Sequence, residues 1–286
     1  MTAIPPVRRR LLGAALRRYR EALGYSLDDA AQVLDCDRSK ISRIETGQRG
    51  IRVKELRELL TEYGVGEAEQ AALAAVAHTG RQQGWWLEYR DVLSAAGEDF
   101  IIMEAAASEI LAYEEHRVPD LLQTPDYALA VAGADPALTS DGQRALAVEA
   151  TLARQRIVLG ERRPKVEMVI GEGVVHQTVG GAGVMRAQLA RLADAAVADP
   201  AERVTLQVLP FAAGAYTAAG GGGMTILRFS DAPSLGVIHL NALSGGVSLD
   251  GQEDVARYLR SFAQLRAAAL SPAASARLLR DHARAA

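Results

Sequence analysis

Apolar positions recur at helical spacing through the first eighty residues. From Val7 to Leu23, the residues Leu11, Leu12, Ala15, Leu16, Tyr19 and Leu23 share one face, and Gly24 supplies a stop. Ser26, with Asp29 three positions on, approximates a capping box ahead of Ala30, Ala31, Val33 and Leu34. Asp35-Cys36-Asp37 breaks that short helix, Asp37 can cap a third from Arg38 to about Glu45, and Gly47 ends it. Two more helices are predicted, from about Val53 to Tyr63 with Leu56, Leu59 and Leu60 inward, and from Glu67 to His78.

The pattern then changes. Gln82 to about Val92, with Trp85, Trp86, Leu87 and Tyr89, reads as a joining helix. Phe100–Ala107 and Glu109–His116 fit either helix or strand, because short apolar runs carry no deciding period. Thr124-Pro125-Asp126 starts a helix to Ala132, and Gln143 to about Leu159 forms a longer one. Val166–Ile170 and Arg203–Leu209 read as strands around a helix from about Val184 to Ala198, a crossover that implies parallel pairing. Met224–Phe229 and Leu235–Leu240 flank a Ser-Asp-Ala-Pro turn and read as an antiparallel hairpin. Asp250 with Glu253 suggests a cap for a helix to about Leu270, and Ser271-Pro272 caps the last one. The fold class expected is mixed: an all-α head at residues 1–80, a linker helix at 81–99, and an α/β (α+β) unit at 100–286 with a mixed sheet flanked by helices.

Charge adds a polarity to this organisation. The chain has 286 residues and a net charge of −3, but residues 1–60 hold 13 Lys/Arg against 8 Asp/Glu, a net of +5. Residues 61–150 carry a net of −12 and residues 151–286 a net of +4. A polyanion would therefore meet the first sixty residues. At 49% hydrophobic residues the chain can supply real cores. The single cysteine, Cys36, excludes a disulfide framework, and His78, His116, His176, His239 and His282 never fall at metal-ligand spacing. No metal and no cofactor are expected. The N-terminal arginines precede no unbroken apolar stretch and no run of about 18 apolar residues follows, so a soluble cytoplasmic protein without a membrane partner is expected.

Residues 26–47 hold the two short helices and tight turn of a helix-turn-helix. Reading a major groove requires a narrow helix with an apolar inner face and short polar or guanidinium side chains outside. Ile41 and Ile44 face inward, which leaves Arg38, Ser39, Ser42 and Arg43 outward, while Lys40 can reach a phosphate or a base. Leu23-Gly24, Ala30-Ala31, Ser39, Ile41, Ile44-Glu45 and Gly47 resemble the phage-repressor-like, xenobiotic-response-element type of helix-turn-helix regulators over residues 9–63. That resemblance implies base contacts from Arg38, Ser39 and Arg43, and a structural ion pair between Arg20 and Glu45. Leu27 with Asp28-Asp29 replaces a glutamine common in the family, which moves the expected phosphate contacts to Arg8, Arg9, Arg10, Lys40, Arg49 and Arg52.

Gly84-Trp-Trp-Leu-Glu-Tyr, Val118-Pro-Asp-Leu-Leu-Gln-Thr-Pro-Asp-Tyr127, Arg154-Gln-Arg156, Met185-Arg-Ala-Gln-Leu189, Val208–Gly214 and Ala269-Leu-Ser271 resemble the C-terminal domain of the actinobacterial WhiJ-like group of regulators, across about residues 84–280. Val118-Pro-Asp departs from that group's usual Val-Pro-Gly. The resemblance implies a sensor or partner-binding domain, often paired with a small protein encoded next door.

An enzyme is not expected. The Gly-rich stretch Gly214–Gly223 lacks the Gly-Lys-Ser/Thr of a phosphate loop, there is no Gly-x-Ser-x-Gly elbow, and pairing Ser234 with His239 or His176 has no motif behind it. Cys36 has no evident activating neighbour. The reading is a dimeric, repressor-like transcription regulator on double-stranded DNA in the nucleoid, with a ligand or small-protein input. The alternative is an antitoxin-like interaction protein that sequesters a small partner and autoregulates. Trp85, Trp86, Tyr89 and His176 are candidates for the input surface, and Leu259, Phe262, Leu265 and Leu278 for the homodimer contact.

Overall fold

The computed structural model describes residues 7–78, 84–162, 164–197, 203–215, 222–229, 236–242 and 246–286. The head comprises α1 (Val7–Ala22), α2 (Leu27–Val33), α3 (Arg38–Glu45), α4 (Val53–Glu62) and α5 (Glu67–His78). Its capping box is closed: the Ser26 hydroxyl accepts from the Asp29 N–H, and the Asp29 carboxylate accepts from the Ser26 N–H. Asp37 accepts from the Ser39 N–H and starts α3, and Gly47 (φ 72°) turns the chain out of it.

The joining segment is a 3₁₀ helix, Trp85–Val92, where a helix from Gln82 was expected; residues 82 and 83 lie outside the described chain. The ambiguous apolar runs separate cleanly. Ser94 caps α6 (Ala95–Ala106) by accepting from the Gly97 N–H, and Glu109–Glu114 is strand β1 because partners flank it on both sides. Next come α7 (Pro125–Ala134) and α8 (Asp141–Gln155), which widens into a π-helix at Arg156–Arg162 instead of running on as α-helix to Leu159. Then follow β2 (Lys165–Gly171), α9 (Gly173–His176), α10 (Ala182–Ala196), β3 (Val204–Leu209), β4 (Met224–Arg228), β5 (Gly236–Leu240), β6 (Val247–Leu249), α11 (Gln252–Ala268) and α12 (Pro272–Ala285). The Ser-Asp-Ala-Pro turn, Ser234 and residues 216–221 of the Gly-rich stretch lie outside the described residues.

The six strands form one mixed sheet in the order β3-β2-β1-β4-β5-β6. β1, β2 and β3 are parallel, with Ile110 opposite Val166 and Val166 opposite Val204. β4 joins β1 antiparallel, with Ala112 opposite Thr225, and β5 and β6 continue antiparallel. α11 covers one face, packing Val255, Phe262 and Leu265 on Leu111, Tyr113, Ile226 and Ile238. The other face belongs to a larger core that runs without a break from Leu11 and Leu16 in the head, through Ile102 and Met103 of α6, to Leu189 and Leu279. No described helix is long and apolar enough to cross a membrane.

Two expectations need correction. Asp250 does not cap α11, which starts from Gly251 without a side-chain cap; the Asp250 carboxylate is drawn instead to Arg10. Phe262 and Leu265 are not surface positions, because the sheet itself fills the apolar stripe of α11; Leu259 and Leu278 are half-buried.

α1 crosses α3 at Gly13, where a methyl group would lie 2.5 Å from the Ile44 carbonyl oxygen and 2.6 Å from that of Glu45. Both are backbone atoms that cannot swing aside. In a free helix Gly→Ala gains about 1 kcal/mol. Here overpacking wins, and Gly13→Ala is expected to lower stability by about 1–2 kcal/mol in chemical denaturation; a variant as stable as the wild type would refute the close crossing.

Candidate nucleic-acid interface and an interior polar site

The two short helices α2 and α3 meet through Ala30, Ala31, Ile41 and Ile44, all buried. Their mutual angle is held from α1 by Arg20. Its Nε and Nη2 donate to the two carboxylate oxygens of Glu45 at 2.6 and 2.8 Å, and its Nη1 donates to the Tyr25 carbonyl at 2.7 Å. Both side chains are buried, so the fork of hydrogen bonds offsets the desolvation of each charge. The Glu45 carboxylate raises the Arg20 pKa further, against the opposing effect of burial.

With its inner face occupied, α3 presents Arg38, Ser39 and Arg43 to solvent. Arg38 makes a loose 3.5 Å contact with exposed Asp28, and Arg43 folds back on Ser39, donating to its carbonyl and hydroxyl oxygens. Arg9, Arg49 and Arg52 are exposed as well. The other three arginine or lysine positions expected at phosphates are held by carboxylates: Lys40 by Glu55 at 2.7 Å, Arg8 by Asp99 at 3.3 Å and Arg10 by Asp250 at 3.1 Å. Both of the last two carboxylates lie outside the head, Asp99 on α6 and Asp250 just after β6. Arg10 also donates to the Ser248 carbonyl, and its backbone lies against Gly47 at the end of α3.

The larger polar constellation lies inside the C-terminal region and was not singled out from sequence. Arg154 of α8 donates from Nε and Nη2 to both oxygens of Glu104 on α6, each at 2.9 Å, and from Nη1 to Asp120 at 2.9 Å. Arg117 engages Asp120 from the other side at 3.2 Å. Burial pushes the Asp120 carboxyl up, but Arg117 and Arg154 outweigh it and hold the group below its usual range. Gln155 donates to the carbonyls of Asp120 and Gln123, and Gln188 both donates to the Leu122 carbonyl and accepts from the Thr124 N–H. The Tyr127 hydroxyl accepts from the Val118 N–H. The motif segments around residues 118–127, 154–156 and 185–189 are thus one hydrogen-bonded unit.

At the end of β1, Glu114 is only 8% exposed. It accepts from the Asn241 amide at 3.2 Å, and burial raises its pKa to about 7 despite the opposing charge of Arg117. His239, on the same sheet face, stacks on Phe100 with centroids 4.2 Å apart and shares a hydrogen bond with the Ser248 hydroxyl at 3.0 Å. Burial, reinforced by Arg154, lowers its pKa to about 4.

The expected input surface is only partly on the surface. Trp86 and Tyr89 are buried, because the 3₁₀ turn packs Trp86 into the main core and Tyr89 against Ala150 and Ala153 of α8. Trp85 is half-buried between them. His176 lies apart, half-exposed, 3.5 Å from Glu172 and stacked on Phe211, and it joins neither polar cluster.

Residues 11–73 match the family model of a helix-turn-helix domain, and residues 98–281 match a model described as a domain of unknown function (DUF5753). No curated protein and no solved structure matches the chain.

Glu114 sets a pH dependence of stability. Its folded pKa lies above the unfolded one, so the folded state holds the proton more tightly and stability declines as pH rises from about 4.5 to about 7. Glu114→Gln removes that decline. Relative to wild type the variant should gain on the order of 2–3 kcal/mol between pH 5 and pH 8 in urea unfolding, a figure that converts the shift at 1.4 kcal/mol per unit. His239 contributes the opposite slope between about 4 and 6.5, which is why the difference between the two proteins is the quantity to read. A difference independent of pH would show that Glu114 is an ordinary solvated acid.

Proposed function

Since the chain belongs to the DUF5753 family, whose description assigns no activity, and carries a helix-turn-helix domain at its N-terminus, we propose that it is a sequence-specific DNA-binding transcription regulator and not an enzyme. The observation that carries this reading is the outer face of α3, where Arg38, Ser39 and Arg43 stand exposed on a helix whose inner face is pinned by Arg20 and Glu45. Arg38 and Arg43 are the guanidinium forks suited to guanine edges, and Arg9, Arg49 and Arg52 supply phosphate contacts around them. So short a reading helix gains selectivity by working in pairs. We therefore infer a homodimer on two half-sites about one helical turn apart, in the cytoplasm at the nucleoid.

The C-terminal region acts in this reading as the input. Arg10 supports it, being bound to Asp250 and the Ser248 carbonyl while packed on the turn that ends α3. A shift of β6 would be felt at that turn. This favours an input received within the sheet region over one received at Trp86 or Tyr89.

Binding to the DNA upstream of its own gene should be steeply salt-dependent and sequence-selective, and Arg38→Ala/Arg43→Ala should lose the selectivity while keeping most of the salt slope. Equal weak binding by both proteins would remove α3 from the groove. Asp250→Asn removes the ion pair of Arg10 without changing a residue of the head, so its DNA affinity should differ several-fold from wild type in the same titration. Identical isotherms would mean that the Arg10 contact carries no signal.

A further inference from the structure

The sheet changes direction of growth at β1, with parallel β2 on one side and antiparallel β4 on the other. In open α/β sheets a crevice forms at the carboxyl end of the strand where such a change occurs. Here the end of β1, the start of β4 and the end of β5 come together, and a half-open cavity of about 30 Å³ lies there between the sheet face and helices α6 and α8. At about 10–15 Å³ per water centre it has room for roughly two water molecules, or a head group of two or three heavy atoms.

The charges around the cavity do not cancel. Glu104, Arg154, Asp120 and Arg117 neutralise one another through a chain of ion pairs at 2.9 to 3.2 Å. Glu114 is left over. One of its oxygens accepts from Asn241, and among the described residues its other oxygen has no donor. The rest of the lining is apolar apart from the Thr225 hydroxyl, with Ala112 and its neighbour Met168 on the same sheet face as Glu114.

We propose that this cavity is a binding site for the primary ammonium group of a small ligand, with Glu114 as its counter-ion. A neutral group would leave the Glu114 carboxyl protonated and gain no charge pairing, and an anion would be repelled by its ionised form; only a cation gains from the carboxylate. The ammonium supplies both the missing charge and the missing N–H donors, while Ala112 and Met168 take the adjoining methylene. The rest of the ligand leaves through the open side. Binding converts a protonated Glu114 into a carboxylate, so the proton passes to solvent and charge balances. The groups facing Glu114 do not take up that proton. His239 is held neutral, its pKa pushed down to about 4, Glu104 and Asp120 are ion-paired, and Arg117 and Arg154 stay charged. That occupancy of the cavity signals to the head rests on the function proposed above; the binding itself does not.

The test is calorimetric titration of the full chain with ethylammonium chloride near pH 6.5, in two buffers of different ionisation heat. The expected result is saturable binding with a buffer-dependent heat that reports release of about half a proton or more, and affinity that rises roughly 25-fold from pH 5.5 to 7.5. Ethanol, the neutral molecule of like size, should give no saturable heat, and Glu114→Gln should abolish binding while keeping the circular dichroism of the wild type. Proton release in the wild type keeps the proposal testable if that variant fails to fold. No saturable heat, heat without proton release, or equal binding by the variant would overturn it. The same preparations are titrated with upstream DNA: DNA binding without ammonium binding removes only the cavity proposal, and ammonium binding without DNA binding removes only the regulator.

Discussion

A buried guanidinium imposes the central constraint on this protein. Arg154 lies deep between α6, α8 and the loop after β1, where an unpaired charge would cost several kcal/mol, and it is satisfied only when Glu104 and Asp120 are both in place. Glu104 fixes the rotation of α6, and Asp120 fixes the loop that Gln155, Gln188 and Tyr127 then fasten through its backbone groups. The ring of Phe100, one turn before Glu104 on α6, lies 5.5 Å under the same guanidinium and stacks against His239. One side chain thereby sets the helix layer against the sheet.

That placement of α6 reaches the head. Asp99, beside Phe100, accepts hydrogen bonds from the N–H groups of Val7 and Arg8 at the start of α1 and pairs with the Arg8 guanidinium. A carboxylate at a helix N-terminus complements its unsatisfied donors and its dipole. α1 in turn holds α3 through Arg20 and the Gly13 crossing. A second connection leaves Phe100 through His239 to Ser248, and from the strand that carries Ser248 to Arg10 and Gly47. Both connections begin within one turn of the Arg154 cluster and end on the same two head helices.

What the sequence disclosed followed the range of the interaction. Ser26, Asp37, Thr124 and Ser271 were legible as caps because each bonds a backbone N–H two or three residues away. The order of strand, helix and strand made β2 and β3 parallel neighbours, and the hairpin of β4 and β5 needed only its alternation. The Arg154 cluster was not legible as a cluster: its partners are 34 and 50 positions away, and an isolated Glu or Asp in a helix or loop reads as solvated. Phe262 and Leu265 show the other limit. An amphipathic helix declares an apolar stripe, but a second copy of the chain and the helix's own sheet satisfy it equally well. Asp250 failed as a cap for the same reason as the cluster, since its partner Arg10 is 240 positions away.

The burial of carboxylates also changes what the charge order means. Residues 61–150 carry a net of −12, which as a solvated surface would oppose a polyanion beside the head. Several of those charges do not face solvent: Glu104 and Glu114 are buried, and Asp99 and Asp120 are engaged by arginines. The acidic block is in part an internal counter-charge for Arg8, Arg117 and Arg154. The same pairing withdraws Arg8, Arg10 and Lys40 from the cations a head of this composition could offer a phosphate backbone. Of the six cations expected at phosphates, Arg9, Arg49 and Arg52 are the ones left exposed.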